Sequence, residues 1–235
     1  MKSVAIMQPY FLPYIGYFQL IKAVDVFVVY DDVNYINKGW INRNYLLGGN
    51  PKQVFTIPLN KASQNKLINE IDLFEFEKFK KNFLKTIELS YKKSPHYNSV
   101  KLLLASILSF DGLNLSSFIK NSIEIITTYL NISTTIIPSS SVYQNKDLKA
   151  QDRIIDICLK EKATNYINPI GGVDLYSAEK FTNQGISLNF IKTEEIKYMQ
   201  INNDFVPYLS ILDVLMFNSK EETIKLLNKY TLVKN

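Results

Sequence analysis

Two stretches near the N-terminus concentrate residue types that bind and process ligands. The first is Gln8-Pro9-Tyr10-Phe11-Leu12-Pro13-Tyr14-Ile15-Gly16-Tyr17-Phe18, with two prolines and three tyrosines in nine residues after Gln8. Aromatic rings there can stack on a base or a sugar, and Gly16 lets a backbone or ligand approach closely. Some of these rings must also fill core. The second stretch is Asp31-Asp32, followed by Lys38, Trp40, Asn42 and Arg43. Successive side chains of an extended chain point to opposite sides, so at most one carboxylate faces a given pocket. Either can take a proton from an amine nucleophile or hold a hydroxyl or a metal. Lys38 and Arg43 suit a phosphate or carboxylate, Arg through its two-pronged fork; the alternative is a charge-balanced loop in which Arg43 pairs with an Asp.

Further candidates are sparser. His96, the single histidine, stands between Pro95 and Tyr97 at a helix start, where it is either a base for an amino group or a structural residue. One histidine allows no zinc cluster of several histidines, and no metal site is expected. Gly171 and Gly172, in Asn168-Pro169-Ile170-Gly171-Gly172, offer backbone N–H groups to an anion or form only a tight turn. Asp152-Arg153 and Asp213 fall in helical patterns that suit surface pairing or capping. Cys158 lies in an apolar helical run and reads as a buried, inert thiol.

Positioning these groups requires an alternating scaffold. Residues 4–7 read as a buried strand, 14–23 as a helix primed by Pro13, and 25–30 as a second strand whose apolar run Val26-Phe27-Val28-Val29 suits a sheet covered on both faces. Strand, helix, strand in that order is a right-handed βαβ unit. In such sheets ligands bind beyond the carboxyl ends of the strands, beside helix N-termini. One or two further strands are expected over 52–59 and 67–73. Helices follow over 75–91, 97–109 and 115–130, as an insertion, lid or layer. Strands at 134–137, 165–168 and 186–191 alternate with helices at 150–161 and 174–183, and helices at 210–217 and 220–230 close the chain. The expectation is one α/β domain over residues 1–235 with a three-layer, Rossmann-like parallel sheet and a helical segment at about 75–130.

Bulk properties narrow the class. The 235 residues are 46% hydrophobic and 21% charged, which excludes a largely disordered chain. The net charge of +5 is diffuse; its densest group, Lys78, Lys80, Lys81, Lys85, Lys92 and Lys93, reads as a solvated helix face, with a polyanion or peripheral membrane contact as the alternative. Double-stranded nucleic acid is not an expected partner. With one cysteine, no signal-peptide pattern and no long apolar run, a soluble cytoplasmic protein is expected.

The segment Tyr14-Ile15-Gly16-Tyr17 resembles the His-x-Gly-His loop of nucleotidyltransferases and pantothenate synthetase with both histidines replaced by tyrosine, which allows nucleotide binding and disfavours adenylyl transfer. Over its full length the chain resembles the WbqC-like family. The resemblance is carried by residues 7–18, Asp25-Val26-Phe27-Val28, Asp31-Asp32-Val33 and Trp40-Ile41-Asn42-Arg43-Asn44, and by Thr56-Ile57-Pro58, residues 91–97, Ser139-Ser140-Ser141, 166–172 and 205–215. It departs at Ile170-Gly171-Gly172 and Asn218-Ser219. Family members occur in bacterial O-antigen and surface-polysaccharide gene clusters, and glycine transfer has been suggested for some. The resemblance thus implies a transferase moving glycine or another small acyl group to the amine of a nucleotide-linked amino sugar. ATP or an activated acyl donor such as glycyl-tRNA would be the co-substrate, and no resident cofactor is implied. Glycosyl transfer and nonenzymatic nucleotide-sugar binding are the alternatives. The assigned site is Asp32, His96 and Asp31 as catalytic groups, with Gln8, Pro9, Tyr10, Tyr14, Gly16, Tyr17, Lys38, Trp40, Asn42, Arg43, Gly171 and Gly172 binding substrate.

Overall fold

The computed structural model describes residues 1–48, 51–201 and 204–234. In chain order it runs β1 (Ser3–Met7), α1 (Ile15–Lys22), β2 (Val26–Val29), β3 (Arg43–Leu47), β4 (Lys52–Thr56), β5 (Leu59–Asn60) and β6 (Asp72–Leu73). Three helices follow: α2 (Phe76–Tyr91), α3 (Tyr97–Leu108) and α4 (Leu115–Tyr129). The rest is β7 (Thr135–Ile137), α5 (Ala150–Lys160), β8 (Asn165–Pro169), α6 (Ala178–Thr182), β9 (Ser187–Thr193), α7 (Ile211–Phe217), α8 (Lys220–Leu226) and β10 (Tyr230–Lys234).

Six strands form one sheet in the order β10-β9-β8-β1-β2-β7, all parallel except β10, which runs antiparallel to β9. The chain lays β1, β2 and β7 outward in one direction, then returns to place β8 and β9 on the other side of β1. The strand order therefore reverses between β1 and β8, the position at which open α/β sheets form a ligand crevice. The short antiparallel pairs β3–β4 and β5–β6 stand outside this sheet.

The two-residue alternation of the strands divides the interior into two cores. Ala5, Phe27, Val29, Ile167 and Ile191 face one side, where they join α1 and the helical stretch through Phe18, Phe83, Phe118 and Leu212. Val4, Ile6, Val26, Val28, Tyr166 and Phe190 face the other, against Ile154, Cys158 and Phe181 of α5 and α6. Helix, sheet and helix thus make three layers of a Rossmann-like α/β protein. Residues from α2, α3 and α4 share one core with the sheet. Burial pushes the Cys158 thiol up to about 12, so it stays protonated.

Some elements differ from the sequence pattern. Residues 170–175 form a 3-10 helix before the short α6, where one helix over 174–183 is expected. The last helix stops at Leu226, and Tyr230–Lys234 is a strand. On α2, Lys78 pairs with Glu75 at 2.9 Å, Lys92 with Glu88 at 3.4 Å, and Lys80 with Glu77, the spacing at which helical neighbours meet. Among the described residues no helix is long and apolar enough to cross a membrane.

Candidate functional site

The loop from β1 to α1 is built under strain. Leu12 is fully buried yet has a φ of +47°, a conformation that costs a branched residue free energy and persists only when its surroundings hold it. They do: the Leu12 carbonyl accepts from Asn44 Nδ2 at 2.9 Å and Ser210 Oγ at 2.7 Å, and Phe11 N–H donates to the Ile41 carbonyl. Below it, buried Tyr17 donates to the Gln8 carbonyl at 2.9 Å and packs 5.7 Å from the Tyr10 ring.

This loop forms one wall of a cleft of about 420 Å³ lined by Tyr10, Pro13, Tyr14, Trp40, Asn44, Tyr45, Lys52 and Tyr208. Trp40, Tyr14 and Tyr208 are 44%, 39% and 77% exposed, so their ring surfaces are open to a ligand. The cations are set around the rings. Arg43 lies 5.4 Å over Trp40, its Nε buried without a hydrogen-bond partner among the described residues, and Lys52 lies 5.9 Å from both the Tyr45 and the Tyr208 ring. Lys52 also donates to the Pro207 carbonyl at 2.7 Å, which ties the β3–β4 hairpin to the loop that carries Tyr208. Tyr208, like Leu12, has a left-handed backbone, with φ +60°.

Tyr14 and Tyr208 also line a second, contiguous cavity of about 470 Å³, with Thr193, Glu194, Tyr198 and Leu209. Tyr14 thus divides two pockets. Its ring lies over Gly16, where an added Cβ would collide with it, so the glycine at that position is what lets the ring close down on the helix start. Burial raises the phenol of Tyr14 above its ordinary range, so it donates hydrogen bonds as a neutral group. Behind this cavity, fully buried Asp213 accepts from Tyr198 at 2.6 Å and Gln200 at 2.7 Å and also interacts with the Tyr91 hydroxyl, and burial holds its pKa high.

The paired carboxylates take opposite sides of the sheet. Asp31 points to the α4 side, accepting from Ser116 and Ser139 at 2.6 Å each; burial raises its pKa. Asp32 points to α5, where Arg153 Nη2 meets it at 2.6 Å and Ser140 Oγ donates to its other oxygen. Arg153 is itself buried, held by Asn145 at 3.0 Å and stacked 5.0 Å over Tyr30. Surface pairing is therefore the wrong reading for Arg153 and for Asp213, and the partner of Asp32 is Arg153, not Arg43.

The remaining predicted residues scatter. Asn42 is buried, bridging Tyr35 OH and the Ile57 carbonyl at 2.8 Å each. Lys38 is exposed at a φ of +59°. His96 caps α3, its N–H donating to the Met216 carbonyl at 3.2 Å, and lines neither aromatic-walled cavity. Gly171 is exposed and Gly172 is buried against Asn168; neither needs a left-handed φ. Pro9 is buried and Gln8 half-buried at the end of β1. Tyr45, Lys52 and Tyr208 come from separate segments and carry no mark of a shared site in the sequence; only the stretch 205–215 signals one of them. Among the described residues no group of three or more His, Cys, Asp or Glu could hold a metal.

The six-stranded sheet between two helical layers, with an open, aromatic-walled cleft beside it, defines the class as a Rossmann-like α/β protein. Residues 8–225 match the model of the WbqC-like protein family, and the chain belongs to that family. It is 31% identical over 221 residues, 93% of this chain and 94% of the other, to the uncharacterized protein Rv1507c of Mycobacterium tuberculosis. No solved structure matches it.

Proposed function

We propose that the protein is a transferase of bacterial surface-polysaccharide synthesis that moves glycine or another small acyl group to the amine of a nucleotide-linked amino sugar. The observation that carries the reading is the cleft of Tyr10, Tyr14, Trp40, Tyr45 and Tyr208 with Lys52 and Arg43 at its rings. Flat, electron-rich rings suit a base and the C–H faces of a sugar, and two cations suit the phosphates between them. The contiguous cavity beyond Tyr14 leaves room for the acyl donor. In the reaction the free amine of the sugar bonds to the acyl carbon as the bond to the activating group breaks, and the proton the nitrogen sheds goes to solvent or to the departing group. With ATP-activated glycine or glycyl-tRNA the acyl carbon is already reactive, so holding the two reactants together supplies much of the rate.

Asp32 is held by Arg153 and Ser140, and His96 lines neither cavity, so the reading rests on binding groups. The same fact favours a second reading, a nonenzymatic nucleotide-sugar-binding protein. The test is incubation with nucleotide-linked amino sugars, glycine, ATP and glycyl-tRNA, read by mass spectrometry. Acyl transfer predicts the mass gain of an acylated sugar and its loss in Trp40→Ala. Release of free nucleotide without mass gain would replace it with glycosyl transfer, and saturable binding without turnover would leave the second reading.

A further inference from the structure

On the α4 side of the sheet, away from the aromatic lining, lies a third cavity, of about 500 Å³. Its wall includes Asp31, Asn69, Phe110, Asn114, Ser139 and Asn121. Asp31 is 3% exposed, and its only side-chain partners among the described residues are two neutral hydroxyls, Ser116 and Ser139. Among the described residues no Lys, Arg or His pairs with it. Lys120, which also borders the cavity, is paired with Glu124 at 2.7 Å. Burying a carboxylate without a cation is costly, and proteins ordinarily supply one, as Arg153 does for the neighbouring Asp32.

We propose that this cavity binds a small hydroxylated primary amine in its ammonium form, with Asp31 as the counter-charge. The cavity is far larger than a bare ion, and a single carboxylate among neutral oxygens is a poor divalent-metal site. Its other groups suit an organic ligand. The Asn121 side chain has no partner among the described residues, so its amide is available to ligand hydroxyls. Phe110 offers an apolar face for C–H groups, and Ser116 can still accept a hydrogen bond while donating to Asp31, whereas Ser139 Oγ already accepts from Ser141. Asn114 is already engaged, accepting from Ser117 N–H and donating to the Asn69 carbonyl, and so holds the rim in shape. The assignment does not depend on what fills the aromatic cleft.

The experiment is isothermal titration of the full chain with glucosamine and 2-aminoethanol as ammonium probes and glucose as the neutral control. Glucosamine is expected to saturate one site, with glucose at least tenfold weaker. Asp31→Asn should weaken glucosamine at least tenfold with an unchanged near-ultraviolet spectrum. Should that variant not fold, Asn121→Leu, which removes no internal hydrogen bond, is expected to weaken glucosamine severalfold. Trp40→Ala should leave the affinity for 2-aminoethanol, which has no ring face to lay on the aromatic cleft, unchanged, so failure of the aromatic-cleft reading and failure of this one are separable. No saturation, equal binding of glucose, or full affinity in a folded Asp31→Asn or Asn121→Leu protein would overturn the proposal.

Discussion

Asp31 and Asp32 are adjacent, equally buried and equally charged in sequence, yet the two sides of the sheet treat them oppositely. On the α5 side Asp32 meets a guanidinium, which is held by Asn145 and stacked on Tyr30. On the α4 side Asp31 meets two serine hydroxyls and a cavity. A carboxylate with a dedicated cation is a structural pin, whereas one that has only neutral donors keeps its charge available for something that arrives from outside.

That contrast can be broken most forcefully at Arg153. Arg153→Met should strand Asp32 as a buried, uncompensated charge and cost about 3–5 kcal/mol in urea unfolding. A loss below 1 kcal/mol would mean that Asp32 is not pinned. Asp31→Asn removes a charge that has no cation, keeps an acceptor for one serine, and should cost about 1 kcal/mol. If its cost equalled that of Arg153→Met, the two carboxylates would be doing the same job. Asp213 gives the smallest effect and the opposite sign. Because burial raises its pKa in the folded state, its ionisation opposes folding above the unfolded value, and stability returns as the pH falls through the folded value. Asp213→Asn is therefore expected to gain a fraction of a kcal/mol over wild type at pH 7 and to lose that advantage in acid. Calorimetric melting at both pH values checks the sign.

Much of the scaffold was legible because it is local. Val26-Phe27-Val28-Val29 can be little but a doubly covered strand, and Pro13 announces α1. β10 was not legible, since Leu232 and Val233 follow α8 after a few residues and extend its apolar pattern. Part of the cleft wall was legible in the two N-terminal stretches through Tyr10, Tyr14 and Trp40, all of which line the cleft. Its other half was not, because Lys52 and Tyr208 are brought in by the β3–β4 hairpin and by a loop over 150 residues away. Arg153 was hidden for the same reason: its partner is 121 positions distant, and an arginine in an amphipathic helix carries no mark of burial.

The same long reach bears on how the chain is made. Gln19 of α1 donates to the carbonyls of Leu226 and Lys229, 207 and 210 positions later, and accepts from Thr193. On a ribosome adding roughly 5–20 residues per second, the helix behind the aromatic loop waits about ten to forty seconds for those partners. The aromatic loop encoded first is thus expected to be among the last parts of the protein to become rigid, and a premature stop after β9 would leave it exposed to proteases though all of its own residues had been translated.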